Sequence, residues 1–587
     1  MNEDHRKSAW QRPWCGRLDR SDLGSVVELV GWVRRRRDLG GLVFVDLRDR
    51  TGVVQLVFED TMVAEGERLS TEDVIAIRGT VRQRADGQAN PEMATGEVEV
   101  AVAAVDVLSQ AETPPFVLED NTNASEELRL KHRALDLRRP VMTEGLVLRH
   151  RLVSAIRRFF DDMQFVDVET PILTRSTPEG ARDFLVPSRL HRGSFFALPQ
   201  SPQLFKQLLQ VAGLGRYVQI ARCFRDEDLR ADRQLEFTQV DVEASFVDEE
   251  DIFELIEALF ARVFPIVGIE PPGRFPRISY RDALERFGTD RPDTRFGLEL
   301  VELGAECDGC GFVVLEEAAA RGRVKGIVVP GGTELSRKRL DELGEVVKPY
   351  GAAGLLWFKR TPDGDASPAR KALGEAGMAR FLDAAGASPG DLLLVVGGDE
   401  GVVFPALGAL RLQLGRDRSL IPEGRHDFLW VTDFPLLEWS EEDGRFYAMH
   451  HPFTAPLETD VELLETDAGS VRARAYDVVV DGVELGGGSI RIHDGRLQRR
   501  MFRLLGIDDD EANERFGFLL EAFRYGVPPH GGIALGLDRM VMLMAGRESI
   551  RDVIAFPKTT SGSCLMADAP STVDIGQLRD LGLDVRK

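Results

Sequence analysis

Between Gly215 and Glu243 an apolar run ends at Arg225, a loop dense in both charge signs follows, and an alternating run leaves it. An arginine held at a strand end stays ionised and forks two oxygens, which suits it to charge developing on a phosphoryl group. The return run reads as a strand with Phe237, Gln239, Asp241 and Glu243 on one face and Thr238, Val240 and Val242 on the other. Taken alone, such a segment serves equally well as a surface salt-bridge network. Much later, Gly531, Gly532 and Gly536 allow close backbone approach ahead of Leu537-Asp538-Arg539, and Met540, Leu543 and Met544 give the following helix a buried face.

These groups need a scaffold, and 587 residues, 43% hydrophobic and 29% charged, suffice for three or four domains. The 74 Lys plus Arg against 97 Asp plus Glu leave −23, so any grip on a nucleic-acid backbone must come from local basic patches. No apolar stretch approaches the roughly 18 residues that span a bilayer, and MNEDHRKSAW lacks a secretion-signal core. Five scattered cysteines, at 15, 223, 307, 310 and 564, speak against a disulfide framework. A cytoplasmic protein without a membrane partner is expected. Cys307-Asp308-Gly309-Cys310 has the spacing of half a zinc site, but no second pair completes it.

The first 110 residues carry five strand-like runs, Val26–Trp32, Leu42–Leu47, Val53–Phe58, Val74–Val81 and Glu97–Val107, which suggest a small barrel. Between residues 34 and 50 stand six Arg and three Asp, with Phe44 among them. A five-stranded barrel with a basic face and an exposable aromatic is what an OB fold uses to stack unpaired bases and track phosphates. After a connector, apolar spacing predicts a helix over Thr143–Met163, and Phe165–Leu173 reads as a strand. From 286 to 424 the chain turns rich in Ala and Gly, with strand-like Gly311–Leu315, Gly326–Val329, Gly354–Phe358 and Leu392–Val396, as in an inserted α+β module. The earlier style resumes at Asp427.

The segment Phe224-Arg225-Asp226-Glu227 through Arg233 to Phe237 resembles motif 2 of the class II aminoacyl-tRNA synthetases. Phe165-Val166-Asp167-Val168-Glu169-Thr170-Pro171 resembles motif 1, which implies a homodimer, and Gly531 to Arg539 resembles motif 3. Four further segments, Thr177–Phe184, Gln200–Gln207, His450–Thr454 and Gly486–Arg491, are similar to those of the bacterial aspartyl-tRNA synthetases. The resemblance implies an OB-fold anticodon-binding domain at 1–110, a hinge at 111–140, an α/β catalytic domain with an antiparallel sheet at 141–285 and 425–560, a GAD domain at 286–424, and an extension at 561–587. It implies aspartate-tRNA ligase activity on L-aspartate, ATP with Mg²⁺, and tRNA(Asp).

By the same resemblance Arg225 and Arg539 are catalytic, and Glu179, Gln203, Lys206, Arg225, His450 and Arg491 bind L-aspartate. Lys206 and Arg491 are then fixed cations for its side-chain carboxylate. ATP falls to Arg225, Asp226, Glu227, Gln234, Glu484, Gly536, Leu537, Asp538 and Arg539. Asp477 and Glu484 approach Mg²⁺, although strand alternation puts them on opposite faces, so a bend or bulge near Gly482 is required. Arg37, Phe44 and Gln55 meet the anticodon. Leu39 resembles the type restricted to tRNA(Asp), whereas Gly87 resembles the type that also charges tRNA(Asn), so the tRNA range stays open. Leu235 stands where the motif carries Pro. A sister synthetase for asparagine or lysine, and a non-catalytic nucleic-acid binder, are the competing readings.

Overall fold

The computed structural model describes residues 9–177, 181–229 and 231–585. Two units are present, Met1–His150 with Arg551–Thr572, and Arg151–Ile550 with Val573–Lys587.

In the first unit β1 (Val26–Asp38), β2 (Val43–Asp49), β3 (Gly52–Phe58), β4 (Val74–Gln83) and β5 (Val98–Ser109) close into a barrel of order β1-β2-β3-β5-β4. Alternate residues fill it: Leu29, Val33, Val45, Leu47, Leu56 and Ile75 are all fully buried. The register of β1 against β2 shifts between Val33 and Arg35. This bulge falls where the arginine run begins, and β1 beyond it is exposed. The segment after the barrel is ordered by charge. Arg133 and Arg139 flank the fully buried Asp136 at 2.6 and 2.8 Å, and Arg133 also donates to the carbonyls of Arg551 and Ile554.

In the second unit eight strands form one sheet. They are β6 (Val166–Asp167), β9 (Arg216–Phe224), β10 (Glu236–Ser245), β11 (Arg277–Ser279), β16 (Phe428–Thr432), β19 (Ala475–Val480), β20 (Val483–Ile490) and β21 (His530–Gly536), in the order β11-β16-β19-β20-β21-β10-β9-β6. Only the two edge pairings are parallel. Small hairpins stand apart: β7 (Leu185–Pro187) with β8 (Phe195–Ala197), and β17 (Leu437–Ser440) with β18 (Arg445–Ala448). The helix Glu249–Val263 opens on an Asp248–Asp251 capping box and covers one sheet face, its Phe253 packed on Trp430 and Tyr476.

Between β11 and β16 the chain builds a second sheet from β12 (Leu300–Glu302), β13 (Arg323–Val329), β14 (Leu356–Lys359) and β15 (Leu392–Gly398). Period-two alternation splits β15: Leu392, Leu394 and Val396 meet the helices Arg337–Val347 and Glu400–Asp417, while Leu393 and Val395 meet Val313–Arg321 and Arg370–Ala384.

Two expected elements differ. Gly311–Leu315 is no strand, since the helix Val313–Arg321 begins there: the following Glu-Glu-Ala-Ala-Ala run favours helix, and Val313 and Val314 lie exposed on its first turn. Phe165–Leu173 pairs only at Val166–Asp167, after which Pro171 denies the sheet a donor and Ile172 and Leu173 turn outward.

Candidate active site

The open face of the eight-stranded sheet bears a cleft of about 440 Å³. Its deepest part is ionic. Lys206, projecting from the helix Gln203–Val211, places Nζ 2.8 Å from Asp241 and 3.2 Å from Glu243. Arg491 grips Glu243 with Nε and Nη2 at 2.9 and 3.0 Å, and its Nη1 donates to His451 Nε2 at 2.7 Å and to Ser489 Oγ. All four charged residues are almost wholly buried. Two carboxylates neutralise the two cations, because unpaired charges could not be buried at acceptable cost. Among the described residues, Lys206 spends two of its three N–H groups and Arg491 four of its five, so each keeps one donor for a ligand.

Burial raises the Asp241 carboxyl despite Lys206. It acts on Glu243 in the same sense, but Arg491 and Lys206 outweigh it and hold that group down at about 2. Gly532 belongs to this geometry, since a Cβ there would lie 2.1 Å from Glu243 Oε2.

The opposite end suits phosphates. Arg225 stands where β9 leaves the sheet, 5.1 Å over the ring of Phe237, with its Nε buried and unpartnered. Half-buried, it has no ion pair among the described residues. Arg539, opening the helix Leu537–Met544, is paired instead, 3.4 Å from both Glu484 and Asp232. Asp538 accepts from the Thr238 backbone N–H at 2.8 Å, joining motif 3 to β10. Gln234 is buried at the cleft wall, and Glu227 is held by Arg233 at 3.1 Å.

Asp477 and Glu484 do reach one face. Asp481 and Gly482 form the tight turn between β19 and β20, both at positive φ, and the bulge lies just beyond, at Leu485, where the partner of Val478 is Gly486 and that of Val479 is Glu484. Gly487 leaves room for the pair, as a Cβ there would sit 2.4 Å from Asp477 Oδ1. Burial, Glu484 and Asp290 together push the Asp477 carboxyl well up. Like charges converging in a phosphate-sized cleft fit a divalent cation. Among the described residues no three such ligands already form a cage.

The structure thus gathers Gln203, Lys206, Arg225, Glu227, Gln234, His450, Asp477, Glu484, Arg491, Gly536, Asp538 and Arg539 on one cleft. Asp226 and Leu537 stay off its wall: Asp226 is exposed and bonds Arg182 through its main chain, and Leu537 turns into the core. Glu179 lies outside the described residues. His451 and Ser489 were legible only as neighbours of chosen residues, and Asp290, on the cleft rim, sits in the stretch read as the inserted module. Cys307 and Cys310 are free thiols with no group of metal ligands about them among the described residues.

The chain thus combines an arginine at the mouth of an antiparallel strand pair, a second on the helix after a glycine-rich strand, and a closed barrel earlier in the sequence. The model for class II tRNA synthetases (D, K and N) matches residues 125–560, and that for the OB-fold nucleic acid binding domain matches 27–108. The chain belongs to this class II family and is an aminoacyl-tRNA ligase. Within it, the chain is 55% identical over 98% of both sequences to the aspartate–tRNA(Asp/Asn) ligase of Anoxybacillus flavithermus. It is 54% identical, over 97% of its own length and 98% of the other, to the enzyme of that name from a Geobacillus species. The asparaginyl-tRNA synthetase of Pyrococcus horikoshii, solved with asparaginyl-adenylate, shares the fold at TM-score 0.58 and 20% identity, covering 94% of this chain and 98% of that one. Among the described residues no helix is long and apolar enough to cross a membrane.

Burial lowers three histidines near the cleft, His450 to about 4, His451 well below its ordinary value, and His530 less far. They are neutral in the fold, whereas an unfolded chain takes up protons below the unperturbed value of 6.5. The His450 contribution is therefore present above that pH and is lost as pH falls through about 4, and the other two act in the same direction. Thermal melts across this window should show a falling midpoint, with a shallower slope in His450→Gln. An unchanged slope would remove His450 from the account.

Proposed function

We propose that this chain activates L-aspartate with ATP and transfers it to the 3′ end of tRNA(Asp) and tRNA(Asn). One observation carries the choice of amino acid: Lys206 and Arg491, within an otherwise neutral buried network, each keep one charged donor. Two donors match the two oxygens of a side-chain carboxylate. An asparagine amide would turn its NH₂ toward one of them, and a lysine ammonium would meet cations. The near full-length similarity to aspartate–tRNA(Asp/Asn) ligases supports the same reading.

In this reading an oxygen of the substrate α-carboxylate attacks the α-phosphorus, the bond to the bridging oxygen breaks, and pyrophosphate departs with the electron pair. The tRNA 3′-hydroxyl then attacks the aspartyl carbonyl and AMP leaves, with no covalent enzyme intermediate. Arg225 neutralises charge at the α-phosphate and Arg539 exchanges its carboxylate contacts for the γ-phosphate. Asp477 and Glu484 would hold Mg²⁺, which supplies charge neutralisation across the phosphates. Gln234, Glu227 and Asp538 shape the nucleotide end, Phe237 offers it an aromatic face, and Gln203 and Glu179 serve the α-ammonium. His450, neutral at working pH, donates rather than attracts.

The barrel would read the anticodon. Phe44 is half-buried and directly opposite Arg37 across β1 and β2, and Arg37 reaches Gln55 Oε1 at 3.1 Å. A base stacked on Phe44 would thus lie beside a guanidinium and an amide. Phe44→Ala should lower tRNA charging about tenfold or more, at about 1–3 kcal/mol per stacked base, while sparing tRNA-independent ATP–pyrophosphate exchange. Equal loss in both assays would refute this role. Leu39 is exposed at the β1–β2 turn and Gly87 lies at positive φ in the β4–β5 loop, both open to a tRNA. Charging of tRNA(Asp) and tRNA(Asn) transcripts with labelled aspartate tests the range: both should be charged, and charging of tRNA(Asp) alone would favour the restricted type marked by Leu39.

Exposed Val166, Ile172 and Leu173 around motif 1 support a homodimer, which sedimentation would report as twice 65.2 kDa. Five free cysteines suit the cytoplasm. The module at 286–424 is assigned to the GAD type by its resemblance alone.

A further inference from the structure

Gln200 opens one of the aspartyl-type segments, yet no role in binding or chemistry falls to it. Its side chain is only 6% exposed and fully engaged: Oε1 accepts from Ala181 N–H at 3.2 Å, and Nε2 donates to Ala181 O at 2.8 Å and to Asp183 Oδ1 at 2.6 Å. Two donors and one acceptor facing these partners are what a carboxamide supplies and a carboxylate does not. The other oxygen of Asp183 accepts from Ser176 at 2.8 Å.

The same stretches continue to Arg225 by backbone contacts. Asp226 N–H donates to Arg182 O at 3.0 Å, and Phe224 N–H donates to Pro199 O at 2.9 Å. The hydrogen bonds therefore close a ring, from Pro199–Gln200 to Ala181–Asp183, to Asp226, and through Arg225 to Phe224 and back. The link between the first two stretches is double, since Leu198 N–H also donates to Phe184 O at 2.9 Å; Gln200 is the side chain at that link, and just past it begins the helix carrying Gln203 and Lys206.

We propose that Gln200 is a positioning residue that holds Arg225 in register with Gln203 and Lys206, so that the acid bound at one end and the phosphate at the other meet in line. This rests on the aspartate-activation reading above. Gln200→Glu keeps an acceptor for the Ala181 N–H but replaces the amide donor with a carboxylate oxygen that faces both Ala181 O and the Asp183 carboxylate. Asp183→Asn in that background restores one donor: the new amide nitrogen faces the introduced carboxylate, and the amide oxygen faces Ser176.

The full-length wild type and both variants would be assayed for aspartate-dependent ATP–pyrophosphate exchange at pH 8, and for amide exchange at Ala181 and Asp226, with β15 amides as the fold control. A misplacement of about 1 Å at a reacting centre costs about 100-fold. Gln200→Glu should lose that much, chiefly in kcat rather than in either KM, and lose amide protection at both positions. The double variant should recover at least tenfold, together with protection. Wild-type kinetics and protection in Gln200→Glu, or a double variant no better than the single, overturn the proposal. If the single variant does not fold, recovery or failure in the double decides. Should the wild type show no exchange with aspartate, the activity reading fails by itself, and the amide pattern still decides the ring.

Discussion

Arg225→Ala lowers aspartate-dependent ATP–pyrophosphate exchange by about a thousandfold and leaves the melting temperature nearly unchanged. The two halves of that expectation have separate causes. Arg225 forms no ion pair among the described residues, and its contact over Phe237, at 5.1 Å, is worth about 0.5–1 kcal/mol, so its removal strands no buried charge. Its Nε is enclosed without a partner, a cost that a bound phosphate oxygen would offset. Arg225→Lys keeps the charge but not the fork, and should fall between wild type and alanine. A folded alanine variant with near-normal exchange would take Arg225 out of the chemistry.

Lys206→Met should fail on both counts. It leaves Asp241 and Glu243 buried with only Arg491 opposing them, and breaking such a pair costs about 3–5 kcal/mol. It also removes one of the two donors assigned to the substrate carboxylate. Adding Asp241→Leu separates these effects, because a buried pair replaced by apolar side chains is close to neutral in stability. The double variant is expected to melt near the wild type while aspartate activation stays lost. A double variant that both folds and activates aspartate with an unchanged KM would show that the network is only structural.

The contrast between these residues shows what the chain reveals before it is folded. The alternation of Phe237, Gln239, Asp241 and Glu243 is local, since strand geometry sends every second side chain to one face, and the cleft has Phe237, Gln239 and Asp241 on its wall. The barrel was legible for the same reason, its five strands each being short alternating runs between turns. The pairing of Glu243 with Arg491 is not local. It spans 248 residues and exists only because β10 and β20 both flank β21. Lys206 and Arg491 could therefore be picked out as cations, but their neutralisation could not. The bulge expected near Gly482 falls at Leu485, a position that one strand cannot reveal because a bulge is a property of two paired strands. Val313 and Val314 misled in the other direction, β-branched residues at an exposed helix start where their strand preference carries little weight.

The central claim is that this site selects the free carboxylate of aspartate. ATP–pyrophosphate exchange by the full-length chain with Mg²⁺, given aspartate, asparagine and lysine in parallel and without tRNA, tests it most directly. The account predicts exchange with aspartate alone. Exchange with asparagine or lysine at a comparable rate, or with none of the three, would contradict it.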